Sequence, residues 1–416
     1  MGRARGDWRA LHISCALMII AALAGCGAVP TAAPPIDVTP SEPADTSKST
    51  SQNPSATSKS VAEPSESFTA DRPCAALVRN MSMSERAGQL LMVAIRSSGM
   101  SASERATIDR TRAGSVLLLG NSTAGMQAIQ EVVGRVRDTA RSPEGVKVML
   151  AADQEGGLVQ RLKGPGFSTI PPATVQAKKS DAQLRRDAYK WGRELKAAGI
   201  DADLAPVADV VPRTMVWLNR PIGHLRRGYS SSPNTVAEKV TAFTEGMNQA
   251  GIATAVKHFP GLGRVRGNTD VTTRVIDRRT TRHDAALAGF SAAVGAKVDM
   301  VMVSSAFYRK IDDDHRAAYS RVIIGEMLRK DLGFSGVVIS DDLAAAAMRT
   351  LPPGERATRF ISAGGDLLII GDPGLATTMA EAITDEASDD PDFAKRVTQS
   401  AARVVAMKQR RGLASC

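Results

Sequence analysis

Eight short apolar runs recur along the chain, at 89–95, 115–120, 147–153, 202–209, 253–259, 299–304, 336–342 and 366–371. Their centres are rich in Val, Ile, Leu, Met and Ala. Continuous apolar runs of this length fit strands buried on both faces, as in parallel sheets. Between them lie stretches of helical period, including 181–198, 235–250, 283–296 and 375–386. Strand and helix alternating eight times predicts an α/β fold, a single (β/α)8 TIM-like barrel. The alternative is an open doubly wound sheet. No Gly-rich phosphate loop follows the first run, which argues against that alternative.

A barrel collects its chemistry at the C-terminal ends of the strands. The third run ends in Asp153, the fifth reaches Lys257 and His258, and the seventh ends in Asp341 and Asp342. In that seventh segment, Val337, Val338 and Ile339 run straight into the two carboxylates. A carboxylate held there acts as nucleophile, base or metal ligand, or else caps the next helix. After Asp153 come Gln154, Glu155, Gly156 and Gly157. The paired glycines permit a tight turn, which can return Arg161 to the pocket as a rigid multi-donor fork. After His258, a Pro260-Gly261 turn leads into a loop with glycines at 261, 263 and 267. That spacing predicts a mobile loop closing over a substrate.

The N-terminus adds an address. Arg3, Arg5 and Arg9 precede a short apolar core at 13–23, and Leu23-Ala24-Gly25-Cys26 follows. The core is short for a membrane span, and residues 1–26 are expected to be a secretory signal with a lipobox. Cys26 would then carry the lipid, anchoring the protein to the membrane from the extracytoplasmic side of the cell envelope. Residues 27–70, rich in Pro, Ser and Thr, are expected to be a disordered tether. Residues 71–416 form the barrel domain. Cys74 and Cys416 stand at its two ends and are a disulfide candidate in an oxidising compartment; two free thiols are the alternative.

The net charge is +10, while aromatic residues make up only 4%. The basic residues are spread along the chain without interleaved aromatics, so a nucleic-acid partner is not expected. The excess fits anionic wall polymers or lipid headgroups. None of the five His stands at metal-ligand spacing, and no metal or other cofactor is expected.

The segments at 153–161, 257–263 and 340–348 resemble the family 3 glycoside hydrolases. They are most similar to the branch of β-N-acetylhexosaminidases that act on peptidoglycan fragments. The resemblance covers nearly all of 80–375. It implies a two-step retaining mechanism with Asp341 as the nucleophile. It also implies that Asp153, Arg161, Lys257 and His258 hold the terminal sugar. In the stretch from Ile222 to Tyr229 it places a further sugar-binding Arg at Arg227, with Arg226 as contender. One departure stands out. The loop after the fifth strand typically carries an Asp-x-His pair whose His is the acid/base. Here the matching residues are Asn268, Thr269 and Asp270. Asp270 becomes the candidate acid/base, since retaining glycosidases commonly use two carboxylates. A carboxylate there would repel phosphate and favour hydrolysis over phosphorolysis. The expected activity is removal of terminal GlcNAc from peptidoglycan-derived fragments and other GlcNAc-containing saccharides. The alternatives are a sugar-binding lipoprotein with weak turnover and a β-glucosidase of the same family. The β-glucosidase reading is disfavoured because many such enzymes append a second domain.

Overall fold

The computed structural model describes residues 74–416. The expected signal segment 1–26 with Cys26 and the expected tether 27–70 lie outside the described residues. Eight strands form the central sheet: β1 (Leu91–Arg96), β2 (Ser115–Leu119), β3 (Met149–Ala152), β4 (Ala202–Asp203), β5 (Ala253–Phe259), β6 (Met300–Val303), β7 (Val337–Ser340) and β8 (Leu368–Ile370). Neighbours in sequence are neighbours in the sheet, and each named pairing is parallel. A parallel bridge between Ile339 and Leu367 closes β7 onto β8. This is the (β/α)8 barrel that the alternation predicts.

A period of two is hidden inside the continuous apolar runs. Met92, Ala94, Leu117, Met149, Ala151, Met300, Met302, Val337, Ile339 and Ile369 fill the barrel interior. Their neighbours Leu91, Val93, Val116, Leu118, Leu150, Val301, Val338 and Leu368 face the helices. Successive strand residues point to opposite faces, so a strand buried on both sides shows no polar alternation. Small residues such as Ala94 and Ala151 leave room for the methionines opposite.

Helices between the strands begin at recognisable caps. Ser180 accepts the Gln183 N–H and starts the helix Asp181–Ala197. That helix buries Leu184, Ala188, Trp191 and Leu195, one face at steps of four, three and four. The last helix, Pro391–Arg410, contributes Val404 and Met407 to the interior cluster, joined by Leu413. It stoppers the end of the barrel away from the strand C-termini. There the Lys408 ammonium donates to Gln89 Oε1 (2.7 Å) and Gly114 O (2.6 Å). Burial pulls it down to about 7. Cys74 and Cys416 are joined as a disulfide, with Cα atoms 4.9 Å apart.

Two elements differ from the apolar pattern. The run 202–209 is strand only over Ala202–Asp203. Pro206 has no N–H for the ladder, so pairing beyond it is irregular, but the chain still runs beside β5, with a parallel bridge between Val207 and Lys257. The stretch 283–296 is a 3-10 turn, Ala285–Leu287, followed by the helix Ala288–Gly295. Among the described residues no helix is long and apolar enough to cross a membrane.

Candidate active site

β3 stops at Ala152, and Asp153 is the first residue beyond it. The chain then folds back as a small hairpin, Gln154–Gly156 against Val159–Gln160. Both glycines are required. Gly156 has φ +104° and Gly157 φ +58°, and a Cβ on Gly156 would stand 2.4 Å from Pro171 O. The hairpin returns Arg161 beside its starting point, with the Arg161 N–H donating to Asp153 O at 3.1 Å. The Arg161 guanidinium reaches Asn121 Oδ1 at 3.3 Å.

Lys257 and His258 close the upper part of β5. Neighbours in a strand ordinarily face opposite ways, yet both side chains line one pocket. The pairing register with β6 shifts here, and the Lys257–His258 peptide is cis. The buried Lys257 ammonium bonds Asp153 Oδ1 at 2.6 Å and Glu155 Oε1 at 2.7 Å. Burial alone would lower that ammonium, but the attraction of Asp153 and Glu155 raises it above its ordinary value. Glu155 also receives Arg227 as a fork, Nε to Oε2 at 2.8 Å and an Nη to Oε1 at 2.7 Å. Burial works against the Glu155 carboxylate, but Arg227 and Lys257 overcome it and hold its pKa well below normal. Two carboxylates and two cations thus form a buried set with no net charge. Arg226, the contender, turns the other way and donates to Thr174 Oγ1.

His258 Nδ1 lies 2.7 Å from Asp209 Oδ2. A carboxylate only accepts, so this nitrogen carries the proton. Asp209 also takes the Leu262 N–H at 2.6 Å. The chain after β4 runs on beside β5, with the Ala208 N–H donating to Lys257 O, and delivers Asp209. Beneath Asp153, Asp203 accepts the Gln154 N–H on one oxygen (2.9 Å), while its other oxygen is buried without a partner. Burial pushes this carboxyl up to about 8, against the Gln154 bond and the pull of Lys257.

Asp341 and Asp342 follow β7. Burial, reinforced by the nearby Asp270 and Asp342, pushes the Asp341 carboxyl up to about 6 despite the attraction of His258. Across from it stands the loop after β5. Its backbone is tied to the segment beyond Asp342, with the Ala346 N–H donating to Asp270 O (3.1 Å) and the Ala347 N–H to Thr269 O (3.0 Å). Asn268 Oδ1 accepts the Asp270 N–H at 3.1 Å and folds the turn. Only Gly261 of the three loop glycines has positive φ (+132°). Gly263 serves close approach, because a Cβ there would meet Val210 O at 1.9 Å. The glycines that the pattern assigns to mobility therefore work, in this conformation, at one turn and one tight contact.

One cavity of about 250 Å³ is lined by Asp153, Arg161, Arg227, Lys257, His258, Asp270 and Asp341. Leu117, Leu204, Met302 and Ile369 form its apolar floor. All seven sequence-derived candidates thus share one site. Glu155, Asp203 and Asp209 were not among those candidates. Glu155 and Asp209 sit inside motifs that did carry the signal, but nothing local distinguishes them from cap or loop residues. A larger groove of about 350 Å³ lies beside Asp312, His315 and Tyr319 and shares no lining residue with the strand-end cavity. Its Asp312 is already held by Ser320 and His315. Among the described residues no group of three His, Cys, Asp or Glu is placed to hold a metal.

A barrel with paired carboxylates and a buried, charge-balanced cradle at its strand C-termini defines a glycosidase-type site. The comparisons agree with that class. The family model for the glycosyl hydrolase family 3 N terminal domain matches residues 82–407. The chain belongs to this family and is a glycoside hydrolase. It is 31% identical over 305 residues to a beta-hexosaminidase of Stenotrophomonas maltophilia, covering 71% of this chain and 87% of that protein. The structure of a beta-N-acetylhexosaminidase from Beutenbergia cavernae superposes with a TM-score of 0.78 at 42% identity, over 79% of this chain and 99% of the other. A family 3 beta-N-acetylglucosaminidase from a Paenibacillus species gives 0.71 at 25% identity, over 81% of this chain and 64% of the other.

Proposed function

We propose that this protein is an exo-acting, retaining β-N-acetylglucosaminidase. One observation carries the reading: Asp341 lines a cavity of about 250 Å³ together with Asp153, Arg161, Arg227, Lys257, His258 and a second carboxylate, Asp270. Asp153, Arg161, Arg227, Lys257 and His258 hold the hydroxyls of the terminal GlcNAc. Asp341 attacks the anomeric carbon, and the glycosidic bond breaks as Asp270 gives its proton to the leaving oxygen. A water then attacks the glycosyl ester while Asp270 takes a proton back, which frees Asp341. The hexosaminidase names of the similar proteins support GlcNAc as the substrate sugar. Peptidoglycan fragments as the source, and lipid attachment at Cys26 as the address, rest on the sequence.

The test is hydrolysis of an aryl β-GlcNAc glycoside by the full chain, followed by NMR of the first-formed sugar. Retention predicts the β-anomer, and α first would overturn the mechanism. The missing family His favours one other reading, a sugar-binding lipoprotein with weak turnover. GlcNAc binding without hydrolysis would establish that reading instead. Release of GlcNAc from wall digests, compared with chitin fragments, tests the natural source.

A further inference from the structure

Five large apolar side chains stand exposed among the described residues: Leu158, Tyr189, Trp217, Leu218 and Val271. Tyr189 lies on the helix Asp181–Ala197. The other four lie on three loops that leave the C-terminal ends of the barrel strands. Each of those loops also lines the active-site cavity. Val271 is adjacent to Asp270, Leu158 is adjacent to Val159, and Trp217 and Leu218 precede Pro221. Trp217 is 81% exposed and Val271 78%. Burying such side chains is normally favourable, so their gathering on the catalytic face calls for an occupant.

The loop that carries Trp217 is held firmly. Buried Asn219 donates to Leu262 O (2.7 Å) and Val265 O (2.8 Å) and accepts the Gly223 N–H (2.8 Å). These bonds tie the Trp217 loop to the start of the loop that ends in Asp270 and Val271. The indole is therefore carried on a braced base, and little order is lost when a ligand settles on it. The cavity below holds about 250 Å³, under the roughly 300–1,000 Å³ common for drug-sized ligands. It has room for the one sugar that is cleaved off. The leaving group must then emerge on the side of the proton donor, among these side chains.

We infer that Trp217, with Leu218 and Val271, forms a leaving-group platform that stacks the ring of the sugar next to the terminal GlcNAc. A pyranose ring offers a face of C–H groups, and an indole offers a large rigid surface for it. This inference rests on the exo-glycosidase reading and adds to it a determinant of the preferred leaving group.

The test compares full-length wild type with Trp217→Ala and Trp217→Phe on two substrates. One is a β-1,4-linked GlcNAc disaccharide. The other is β-GlcNAc fluoride, whose leaving group has no ring. Trp217→Ala should lower the disaccharide-to-fluoride ratio of kcat/KM at least tenfold, mainly through the disaccharide KM. Trp217→Phe should recover most of it. An unchanged ratio overturns the platform, as does an alanine defect that Phe does not relieve. Loss of binding to anionic phospholipid vesicles with an unchanged ratio would assign these side chains to a membrane surface and also overturn it. If wild type cleaves neither substrate, the proposed function fails, and fluorescence then decides the platform alone. A Trp217-dependent response to the disaccharide but not to free GlcNAc supports it, and equal responses overturn it.

Discussion

At the end of β7 two adjacent carboxylates are told apart by their hydrogen bonds. Asp342 Oδ1 accepts the Ala344 and Gly371 N–H groups, both at 2.8 Å, and so fastens the loop. The Asp341 side chain accepts the Asp342 N–H at 3.0 Å. Asp341→Asn is expected to lower kcat by several orders of magnitude while GlcNAc binding persists, and a fluorinated glycoside should label Asp341. Labelling at Asp342 would reverse the assignment. The pH behaviour follows from the Asp341 carboxyl at about 6. The nucleophile must be ionised, so kcat/KM should rise with pH through about 6. Asp270→Asn should leave that acid limb in place, because Asp341 must still be ionised, and flatten the basic limb. The same variant should slow poor leaving groups far more than activated phenols, with azide restoring turnover of the latter. Equal loss on both classes, without azide product, would make Asp270 a mere loop residue. Stability has the opposite sign from activity. The folded carboxyl sits above the roughly 3.9 of an unfolded Asp. Ionising it in the native state thus costs stability as pH climbs from about 4 to 6. Asp341→Asn should raise Tm at pH 7 by the equivalent of about 1–3 kcal/mol and leave it unchanged at pH 4; calorimetry at the two pH values decides.

At the scale of elements, the hairpin after β3 shows how a local turn serves a distant contact. Gly156 and Gly157 let four residues carry Glu155 under Arg227 and bring Arg161 back past Asp153. Gly156→Ala forces a side chain into positive φ and against Pro171 O. Strain of this kind costs about 1–3 kcal/mol. The expected outcome is a lower Tm with a larger fall in kcat/KM than Gly134→Ala, because Gly134 has open space around its Cα. A thermal melt and a rate on each variant check this. The hairpin was legible, since a Gly-Gly pair signals a turn. The fate of 202–209 was not. Its apolar content resembles a long strand, and it does run beside β5 as far as the Ala208 bond to Lys257, but Pro206 makes the ladder irregular, and Asp209 follows at its end.

For the whole molecule, the barrel is closed twice. The sheet closes through Ile339 and Leu367, and the chain closes through Cys74 and Cys416, 342 residues apart. Cross-linking so long a loop restricts the unfolded chain and contributes up to about 5 kcal/mol in the chain-entropy picture. Cys416→Ser should lower Tm by several degrees in the oxidised protein and have no effect under reducing conditions. Two alkylatable thiols in the folded wild type would remove the basis for the prediction. The bottom of the barrel has its own charge arrangement. Asp366 is fully buried and gathers Arg329, Arg396 and Arg403, and their charges hold it down to about 2 against its burial. It sits just before β8, at the end of the barrel opposite the site, so it anchors the strand and takes no part in the chemistry.

The sequence by itself determined the order of strands and helices and the identity of the residues at the strand ends. It also marked the loop where Asp270 replaces the family His. These are local properties: apolar runs, turn residues and contiguous motifs are written in neighbouring positions. What the tertiary structure decided is which charges meet. Lys257 finds Asp153 across 104 residues, Arg227 finds Glu155 across 72 and Asp209 finds His258 across 49. Barrel closure brings those groups together and removes water from around them. Only there does burial decide which polar groups need a partner, so only the folded chain reveals Glu155, Asp203 and Asp209, the bonded state of Asp342, and which apolar side chains stay exposed on the loops of the catalytic face.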